Sequence, residues 1–255
     1  MTDNTTMDEN LLNGKTFLVV DDETDLRDIV ASELEFMGAK VYQAENISGA
    51  EKILNETTID LVVSDIRMPG GTGIDLLNHI KAKNVQSPPI ILITGFADIT
   101  VEDAFNQGAE ALMNKPFKLD DLIKLAVKFT HSLRSRYSEE VSGARKELKL
   151  TIPDSIQNRI DAKEFLLGRG GLALKFPYEG TKFELGDVIK FNLKFDGVTL
   201  EGSAVCRWFK LGEQGSFKAS LGIEFMHLSD ESLNYLLDFW QNELPVSYIP
   251  SFEAK

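Results

Sequence analysis

Five polar residues that are far apart in the sequence could together carry out phosphoryl chemistry. They are Asp21, Asp22, Asp65, Thr94 and Lys115. Carboxylates crowded at one place repel one another unless a cation compensates them, and a small set of hard oxygen ligands suits Mg²⁺, which readily takes phosphate as a further ligand. Lys115 adds a fixed positive charge and Thr94 adds a hydroxyl donor for a phosphoryl oxygen. We interpret the set as a site that forms an acyl phosphate on an aspartate.

The elements that must position these residues alternate between strand and helix over residues 15–132. Five short apolar runs, each followed by a segment with helical spacing, lie at 15–20, 40–44, 60–64, 89–94 and 109–114. This alternation predicts a doubly wound, five-stranded parallel sheet that is buried on both faces. Ligands of such sheets bind outside the carboxyl ends of the strands, and the polar residues stand at four of these ends. Acids that only cap helices would explain any one position but not all four.

The same residues lie in motifs that resemble the receiver domain of bacterial two-component response regulators. The motifs are LVVDDE at 18–23, LVVSDIRMPG at 61–70, ILITG at 91–95 and NKPF at 114–117. The resemblance implies that a sensor histidine kinase or a phosphotransfer protein phosphorylates Asp65, assisted by Thr94 and Lys115. It also implies a Mg²⁺ site whose ligands are Asp21, Asp22, Asp65 and the backbone carbonyl of Arg67.

Two further positions concern the conformation of this domain. The resemblance implies a cis peptide bond before Pro116, and cis bonds are essentially a proline property. Leu112 departs from the pattern, because many receivers carry Tyr or Phe three residues before the lysine as an aromatic switch. We therefore expect the signal to leave the domain by a different surface.

A long helix is predicted from residue 119 to about residue 142. Its apolar stripe has helical spacing and consists of Leu122, Ala126, Phe129, Leu133 and Tyr137. Such a helix can couple the receiver rigidly to the next domain, or it can pair with its counterpart in a homodimer together with the neighbouring receiver face. The alternative is a linker covered by solvent.

The second half of the chain predicts antiparallel β structure. Apolar and polar residues alternate on both sides of Asp196-Gly197, which is a strong hairpin signal, and the C-terminal helix predicted after Ser229 has an apolar face. The pattern favours a small antiparallel β-barrel or sandwich, and the apolar face of this helix could plug the barrel or cover its edge. The segments GRGGLAL at 168–174, GDVIKFNLKF at 186–195, AVCRW at 204–208 and LGIEFMHLSDE at 221–231 resemble a PilZ domain. The resemblance suggests a process such as bacterial motility.

The nucleotide-binding motifs of PilZ domains are damaged in this chain. Many of these domains bind cyclic di-GMP through RxxxR and DxSxxG, but Leu166 and Gly168 occupy the Asp and Ser positions here. No intact site remains, and the remaining candidates for an anion contact are Arg145, Lys149 and Arg169. Arg145 with Lys149, or alternatively Arg159 with Lys163, gives only RxxxK, and lysine cannot reproduce the planar stacking of arginine. Arg169, in a glycine-flanked turn, is otherwise expected to be a surface arginine.

Composition excludes several other functions. A net charge of −13 argues against DNA binding, because phosphate contacts need lysine and arginine. The single cysteine, Cys206, cannot form an internal disulfide or a cysteine zinc site, and it is predicted to be a packing residue. No apolar run is long enough for membrane insertion and no secretory signal is visible, so we expect a cytoplasmic protein. The second half has no GxSxG, GGDEF-like or EAL-like sequence, so we expect a signalling protein whose only chemistry is phosphoryl transfer to Asp65 and its slow hydrolysis.

The predicted fold class is therefore α/β followed by all-β. Its parts are a flexible tail at 1–14, a receiver domain at 15–132, a linker helix and connector at 133–152, a PilZ-like domain at 153–246 and a tail at 247–255. We expect phosphorylation of Asp65 to act through the helix on the PilZ-like domain, which then contacts an unidentified downstream protein. The alternative is a cyclic di-GMP receptor that uses non-standard residues and is modulated by the receiver.

Overall fold

The computed structural model describes residues 10–86, 88–95, 99–138, 143–144, 146–178, 180, 182–212, 218–242 and 244–252. In chain order its elements are β1 (Thr16–Val20), α1 (Thr24–Phe36), β2 (Lys40–Ala44), α2 (Ile47–Glu56), β3 (Leu61–Asp65), β4 (Arg67–Met68), β5 (Gly71–Thr72), α3 (Gly73–Lys83), β6 (Ile90–Thr94), α4 (Val101–Asn106), β7 (Ala111–Asn114), α5 (Leu119–Thr130), α6 (Leu133–Arg136), β8 (Lys146–Thr151), α7 (Ile156–Asp161), β9 (Phe165–Leu167), β10 (Gly171–Pro177), β11 (Val188–Lys194), β12 (Thr199–Leu211), β13 (Lys218–Leu228) and α8 (Asp230–Asn242). Contacts divide the chain into two compact units. The first comprises Met1–Ile99 with Ala109–His131, and the second comprises Thr100–Gly108 with Ser132–Lys255.

The first unit contains the predicted five-stranded parallel sheet. Its strand order is β2-β1-β3-β6-β7, and all four neighbouring pairs are parallel. Every residue of β3 and β6 is buried, as expected for strands that are covered on both faces. Strand β2 is added on one side of β1, whereas β3, β6 and β7 are added in turn on the other side. The strand order therefore switches between β1 and β3, and open parallel sheets bind ligands at such a switch point.

The second unit is built on a six-stranded sheet with the order β8-β11-β12-β13-β10-β9. The pairs are antiparallel except for β8 with β11, which is parallel. The predicted hairpin at Asp196-Gly197 is confirmed, because Lys194 pairs with Thr199 across that turn. Leu233, Leu236 and Trp240 of α8 belong to the hydrophobic core of this unit, so the C-terminal helix packs as its apolar face predicts.

Cys206 is confirmed as a packing residue. Its side chain is fully buried in the core of the second unit. Burial raises the pKa of the Cys206 thiol to about 11, because a thiolate there would lose its hydration, and the nearby Asp187 carboxylate acts in the same direction. The thiol is therefore protonated and unreactive at neutral pH.

The prediction of one long helix from residue 119 is wrong. Helix α5 ends at Thr130, His131 adopts an extended conformation, and the Ser132 hydroxyl accepts a hydrogen bond of 3.2 Å from the Ser135 amide to begin the short helix α6. The apolar spacing continues through this break because its two halves pack in different cores. Tyr137 is fully buried in the second unit, with its ring 6.1 Å from the ring of Phe225. A single projecting helix is thus not available as a homodimer surface, and residues 139–142 of the prediction lie outside the described residues.

The described parts of the two predicted tails are packed. Leu12 is fully buried, and its amide donates to the Met37 carbonyl at 2.9 Å. Tyr248 and Ile249 are also fully buried. Within the described ranges, no helix is both long enough and apolar enough to cross a bilayer.

Helix α4 packs in a different unit from the one in which the sequence placed it. Although it lies within the predicted domain 15–132, its contacts place it in the second unit. The Tyr248 amide donates to the Phe105 carbonyl at 2.8 Å, and the Ser247 hydroxyl donates to the Asn106 carbonyl at 2.8 Å. The Phe105 and Tyr248 rings meet edge to face, with centroids 5.7 Å apart. The C-terminal segment 246–252 is thus an integral part of the packing around α4.

Candidate functional site

Four neighbouring strands of the first unit bring the predicted site residues to one edge of the sheet. Asp21 follows β1, Asp65 ends β3, Thr94 ends β6 and Lys115 follows β7. Adjacent strands are about 4.8 Å apart, so side chains at successive strand ends come within reach of one another. Asp21, Asp65 and Thr94 are buried, whereas Asp22 is exposed at the rim.

The Lys115 ammonium lies between the carboxylates. Its Nζ is 2.7 Å from Asp65 Oδ1, 3.1 Å from Asp21 Oδ2 and 3.0 Å from Glu23 Oε1. Partial burial alone would lower the pKa of Lys115, but the bonds to these three carboxylates outweigh it and raise the pKa. The side chain therefore stays a cation at all physiological pH values. The Lys115-Pro116 peptide bond is cis, as the resemblance implies.

The two buried aspartates are held by backbone amides as well. The Arg67 amide donates to Asp65 Oδ2 at 2.6 Å, and the Glu23 amide donates to Asp21 Oδ1 at 2.9 Å. Burial raises the pKa of Asp21, while the Glu23 amide and Lys115 act in the opposite direction. Asp65 therefore keeps a fixed orientation, with one oxygen toward Lys115 and the other toward the Arg67 amide.

The donor set fits a hard divalent cation. Asp21, Asp22, Glu23 and Asp65 carry four carboxylates. The Lys115 ammonium and the Arg27 guanidinium, which donates to the Asp21 carbonyl at 2.6 Å, balance only part of this charge, so negative charge is in excess at this edge. In the described part of the chain, no three His, Cys, Asp or Glu side chains are close enough to hold a metal as a set. Mg²⁺ needs fewer protein ligands, because it keeps several waters and is commonly held by one or two carboxylates.

Two residues of this region were missed by the sequence reasoning. Glu23 lies inside the LVVDDE motif but was not assigned to the site, although its carboxylate contacts Lys115. Gly73 opens α3, and a Cβ atom there would lie 2.3 Å from the Asp65 carbonyl oxygen. Glycine at 73 thus allows α3 to begin directly against the end of β3. The sequence signal that could have identified Gly73 is its position shortly after the LVVSDIRMPG motif.

Gly73→Ala is expected to impair the site through the backbone of Asp65. The added methyl has to displace the strand end or the helix start, and forced overpacking typically costs about 1–3 kcal/mol. We expect the rate of phosphorylation by acetyl phosphate to fall at least roughly tenfold, since a misplacement of about 1 Å has effects of this size or larger. Gly49→Ala in α2 is the matched control, because its Cβ would meet only ordinary contacts at 3.5 Å. Equal rates in both variants would contradict the prediction.

The three candidate anion-binding residues of the second unit are not brought together as a nucleotide site. Arg145 lies outside the described residues, and Lys149 Nζ is 2.7 Å from Glu147 Oε1. The expectation of a surface arginine at 169 is wrong, because Arg169 is only 7% exposed. Its guanidinium donates to the Val246 carbonyl at 3.1 Å and to the Gly108 carbonyl at 2.8 Å. The physical reason is that the C-terminal segment 246–252 lies on the glycine-flanked turn and supplies acceptors there.

The turn itself is shaped for this segment. A Cβ at Gly168 would lie 2.4 Å from the Tyr248 carbonyl oxygen, and a Cβ at Gly170 would lie 1.9 Å from the Tyr248 ring. The Gly170 amide also donates to the Tyr248 carbonyl at 2.8 Å. The surface that this turn would otherwise present is therefore covered by the protein's own chain.

Comparison with known proteins agrees with the geometry of the first unit. The family of the response regulator receiver domain matches residues 17–127. The response regulator protein PilR of Pseudomonas aeruginosa is 33% identical over 124 residues, which are 48% of this chain and 27% of PilR. The phosphate regulon transcriptional regulatory protein PhoB of the same organism is 34% identical over 113 residues, 43% of this chain and 49% of PhoB. The chain thus spans half or less of the length of these two curated relatives.

A solved structure is similar to part of this chain. The response regulator protein TrrA of Thermotoga maritima, in complex with Mg²⁺ and BeF, has 32% sequence identity and a TM-score of 0.42, and the match covers 45% of this chain and 98% of that one. Residues 17–127, which match the receiver-domain family, contain the four strand ends that carry Asp21, Asp65, Thr94 and Lys115. Residues 17–127 of this chain are a response regulator receiver domain.

Proposed function

We propose that this chain is a two-component response regulator in which Asp65 accepts a phosphoryl group from a sensor histidine kinase or a phosphotransfer protein. The observation that carries the proposal is the position of Lys115 Nζ, 2.7 Å from Asp65 and 3.1 Å from Asp21 at the carboxyl edge of the sheet. An ammonium in this position compensates negative charge that a phosphoryl group would bring to Asp65. A cytoplasmic location and pairing through the receiver face belong to the same proposal.

The reaction proposed for this site transfers a phosphoryl group from its donor to a carboxylate oxygen of Asp65. An oxygen of Asp65 forms a bond to phosphorus while the bond from phosphorus to the donor breaks. Lys115 balances the charge of the phosphoryl oxygens, the Arg67 amide orients the carboxylate, and Thr94 offers a hydroxyl. Mg²⁺, held by Asp21, Asp22, Asp65 and the Arg67 carbonyl, would supply further charge compensation when bound. The chain is proposed to be a signalling protein, with slow hydrolysis of its own acyl phosphate as its only turnover.

We also propose that residues 153–246, within the second unit, are a PilZ-like domain that acts through contacts with a downstream protein. Support for the absence of cyclic di-GMP binding in the usual mode comes from the turn at Gly168–Gly170, which Tyr248 covers. Further support is the engagement of Arg169 with the Val246 and Gly108 carbonyls. A guanidinium that is already satisfied inside the fold is not free to clamp phosphates.

The signal is proposed to pass through α4. Thr94 ends β6, and a short stretch of chain connects it to Thr100, whose hydroxyl caps α4 at the Asp103 amide. Because α4 packs with the segment 246–252, a change at Thr94 can reach the second unit along the backbone itself. This route replaces the continuous linker helix that the sequence predicted.

Hydrogen exchange tests this route. Addition of beryllofluoride and Mg²⁺ is expected to speed exchange of the Tyr248 and Ser251 amides, which donate to Phe105 and to Asn106 Oδ1 of α4. The Asp65→Asn variant should show no such change, and amides of the β12–β13 pair should serve as unchanged internal controls. Unaltered exchange of both tail amides in the wild type, despite beryllofluoride binding, would contradict the route through α4.

A further inference from the structure

The arginine of helix α1 connects the acidic loop of the site to the neighbouring strand. Arg27 is partly buried, and its Nη1 donates to the Asp21 carbonyl at 2.6 Å. Its Nε donates to Gln43 Oε1 of β2 at 3.2 Å, and its Nη2 donates to Thr24 Oγ1 at 3.4 Å. The guanidinium therefore ties together the loop after β1, the first turn of α1 and the end of β2.

The bond to the Asp21 carbonyl fixes the peptide group between the two aspartates of the site. A peptide group is planar, so an anchored carbonyl also sets the direction of the next amide and the position from which the next residue begins. The Asp21 carboxylate is held separately, by the Glu23 amide at 2.9 Å and by Lys115 Nζ at 3.1 Å. Arg27 instead holds the backbone from which the exposed Asp22 side chain projects.

Strand β2 provides a firm base for this bridge. It lies directly beside β1, and Val20 pairs with Ala44 at the carboxyl ends of the two strands. The Asp21 amide donates to the Ala44 carbonyl at 3.2 Å. Gln43, one residue earlier, receives the second bond of Arg27. The amide of Asp21 is thus held by β2 directly, and its carbonyl is held through the arginine.

Charge alone does not explain an arginine at this place. A guanidinium near carboxylates that bind Mg²⁺ repels the metal, so its charge by itself lowers the affinity of the site for Mg²⁺. Arginine differs from lysine because its planar fork offers donors on separate nitrogen atoms. Here one nitrogen donates to the loop and another donates to β2. The arrangement uses the shape of the side chain, and this indicates a role in position.

We propose that Arg27 is a positioning residue of the Mg²⁺ site, which holds the Asp21-Asp22 peptide so that the Asp22 carboxylate is in place for the metal. The inference rests on the proposed function, because Asp21 and Asp22 are assigned to Mg²⁺ there. It adds a residue outside the LVVDDE motif that sets the metal affinity without touching the metal.

The metal affinity of the unphosphorylated full chain tests the proposal. Mn²⁺ is the probe, since it takes the same hard oxygen ligands as Mg²⁺, and electron paramagnetic resonance measures its free fraction before and after Mg²⁺ is added as a competitor. Arg27→Met should weaken binding of both ions about tenfold or more, the usual size for losing a group that orients metal ligands. Because charge alone would strengthen binding in this variant, the sign of the change separates position from charge. The double variant Asp21→Asn with Asp22→Asn gives the background of ions bound elsewhere on the chain.

Two further variants control for the lost charge. Lys40→Met removes one positive charge at the exposed beginning of β2, at the end of the strand remote from Ala44, and should bind Mn²⁺ like the wild type. Arg27→Lys keeps the charge but has a single nitrogen, so it cannot reproduce the fork between Asp21 and Gln43. We expect its affinity to lie between those of the wild type and Arg27→Met.

The Mg²⁺ dependence of phosphorylation by acetyl phosphate separates positioning from a general loss of structure. In Arg27→Met, the Mg²⁺ concentration that gives half the maximal rate should rise about tenfold or more, in line with the affinity. The rate at saturating Mg²⁺ should stay close to that of the wild type. A variant that had merely lost its fold would show a lower saturating rate instead.

Three results would each overturn the proposal. They are unchanged or tighter Mn²⁺ binding in Arg27→Met, equal weakening in Lys40→Met, and a lower saturating rate at an unchanged half-maximal Mg²⁺ concentration. If the wild type is phosphorylated and Arg27→Met behaves like it, the positioning role fails while the proposed function stands. A wild type that is not phosphorylated and does not bind Mn²⁺ in competition with Mg²⁺ would remove the proposed function and this inference with it.

Discussion

Asp65→Asn is expected to reduce phosphorylation by acetyl phosphate and Mg²⁺ to background. The amide is nearly the same size as the carboxylate but is not a nucleophile, so the acyl phosphate cannot form. Intact-protein mass spectrometry measures the phosphorylated fraction directly. The fold should be retained, because the Arg67 amide at 2.6 Å can still donate to the amide oxygen.

Two controls make this result specific. Asp28→Asn, at an exposed position of α1, should be phosphorylated like the wild type. Removal of Mg²⁺ with a chelator should suppress phosphorylation of the wild type as well. Undiminished phosphorylation of Asp65→Asn would show that the phosphoryl group is carried by another residue and would remove the basis of the proposed function.

Lys81→Met is expected to destabilise the first unit by about 3–5 kcal/mol, the usual cost of leaving a buried charge without its partner. Lys81 is 5% exposed and Glu110 is 2% exposed, and Lys81 Nζ lies 2.9 Å from Glu110 Oε1. The same carboxylate also accepts from the Ile90 amide at 2.7 Å, at the beginning of β6. Hydrogen exchange of the β6 amides measures the effect within this unit, which avoids treating a chain of two units as a single transition.

The double variant Lys81→Met with Glu110→Leu distinguishes charge from packing. Replacing both members of a buried pair by apolar residues is often close to neutral. The Ile90 amide then loses its acceptor, which costs about 1–3 kcal/mol. We therefore expect the double variant to be more stable than Lys81→Met alone. A double variant that is less stable than the single one would mean that the pair contributes mainly through its hydrogen bonds.

The parallel sheet and its site were predictable because the signals are local. Each strand is a short apolar run, and the residue at its carboxyl end can be read directly from the sequence. Parallel pairing then places Asp21, Asp65, Thr94 and Lys115 at one edge without further information. The bridge from Glu23 to Lys115 could not be predicted in this way, because it depends on a side-chain conformation and not on a strand end.

The predictions that were wrong concern segments whose contact partners are distant in sequence. The apolar spacing through residues 119–137 is the same for one helix in one core as for two helices in two cores. Ser132, whose hydroxyl caps α6, was a local sign of the break. Arg169 looked exposed because it is flanked by glycines, but Val246 and Gly108, which accept its hydrogen bonds, lie far away along the chain.

The packing of α4 with the segment 246–252 has a consequence for the order of events during synthesis. Ser247 and Ser251 contact Asn106 across 141 and 145 residues of sequence. Domains generally fold as units from the N-terminus while the chain is being made, and contacts between distant residues form late. Residues 246–252 must leave the ribosome before α4 acquires these partners, so a nascent chain can complete its parallel sheet while α4 still lacks them.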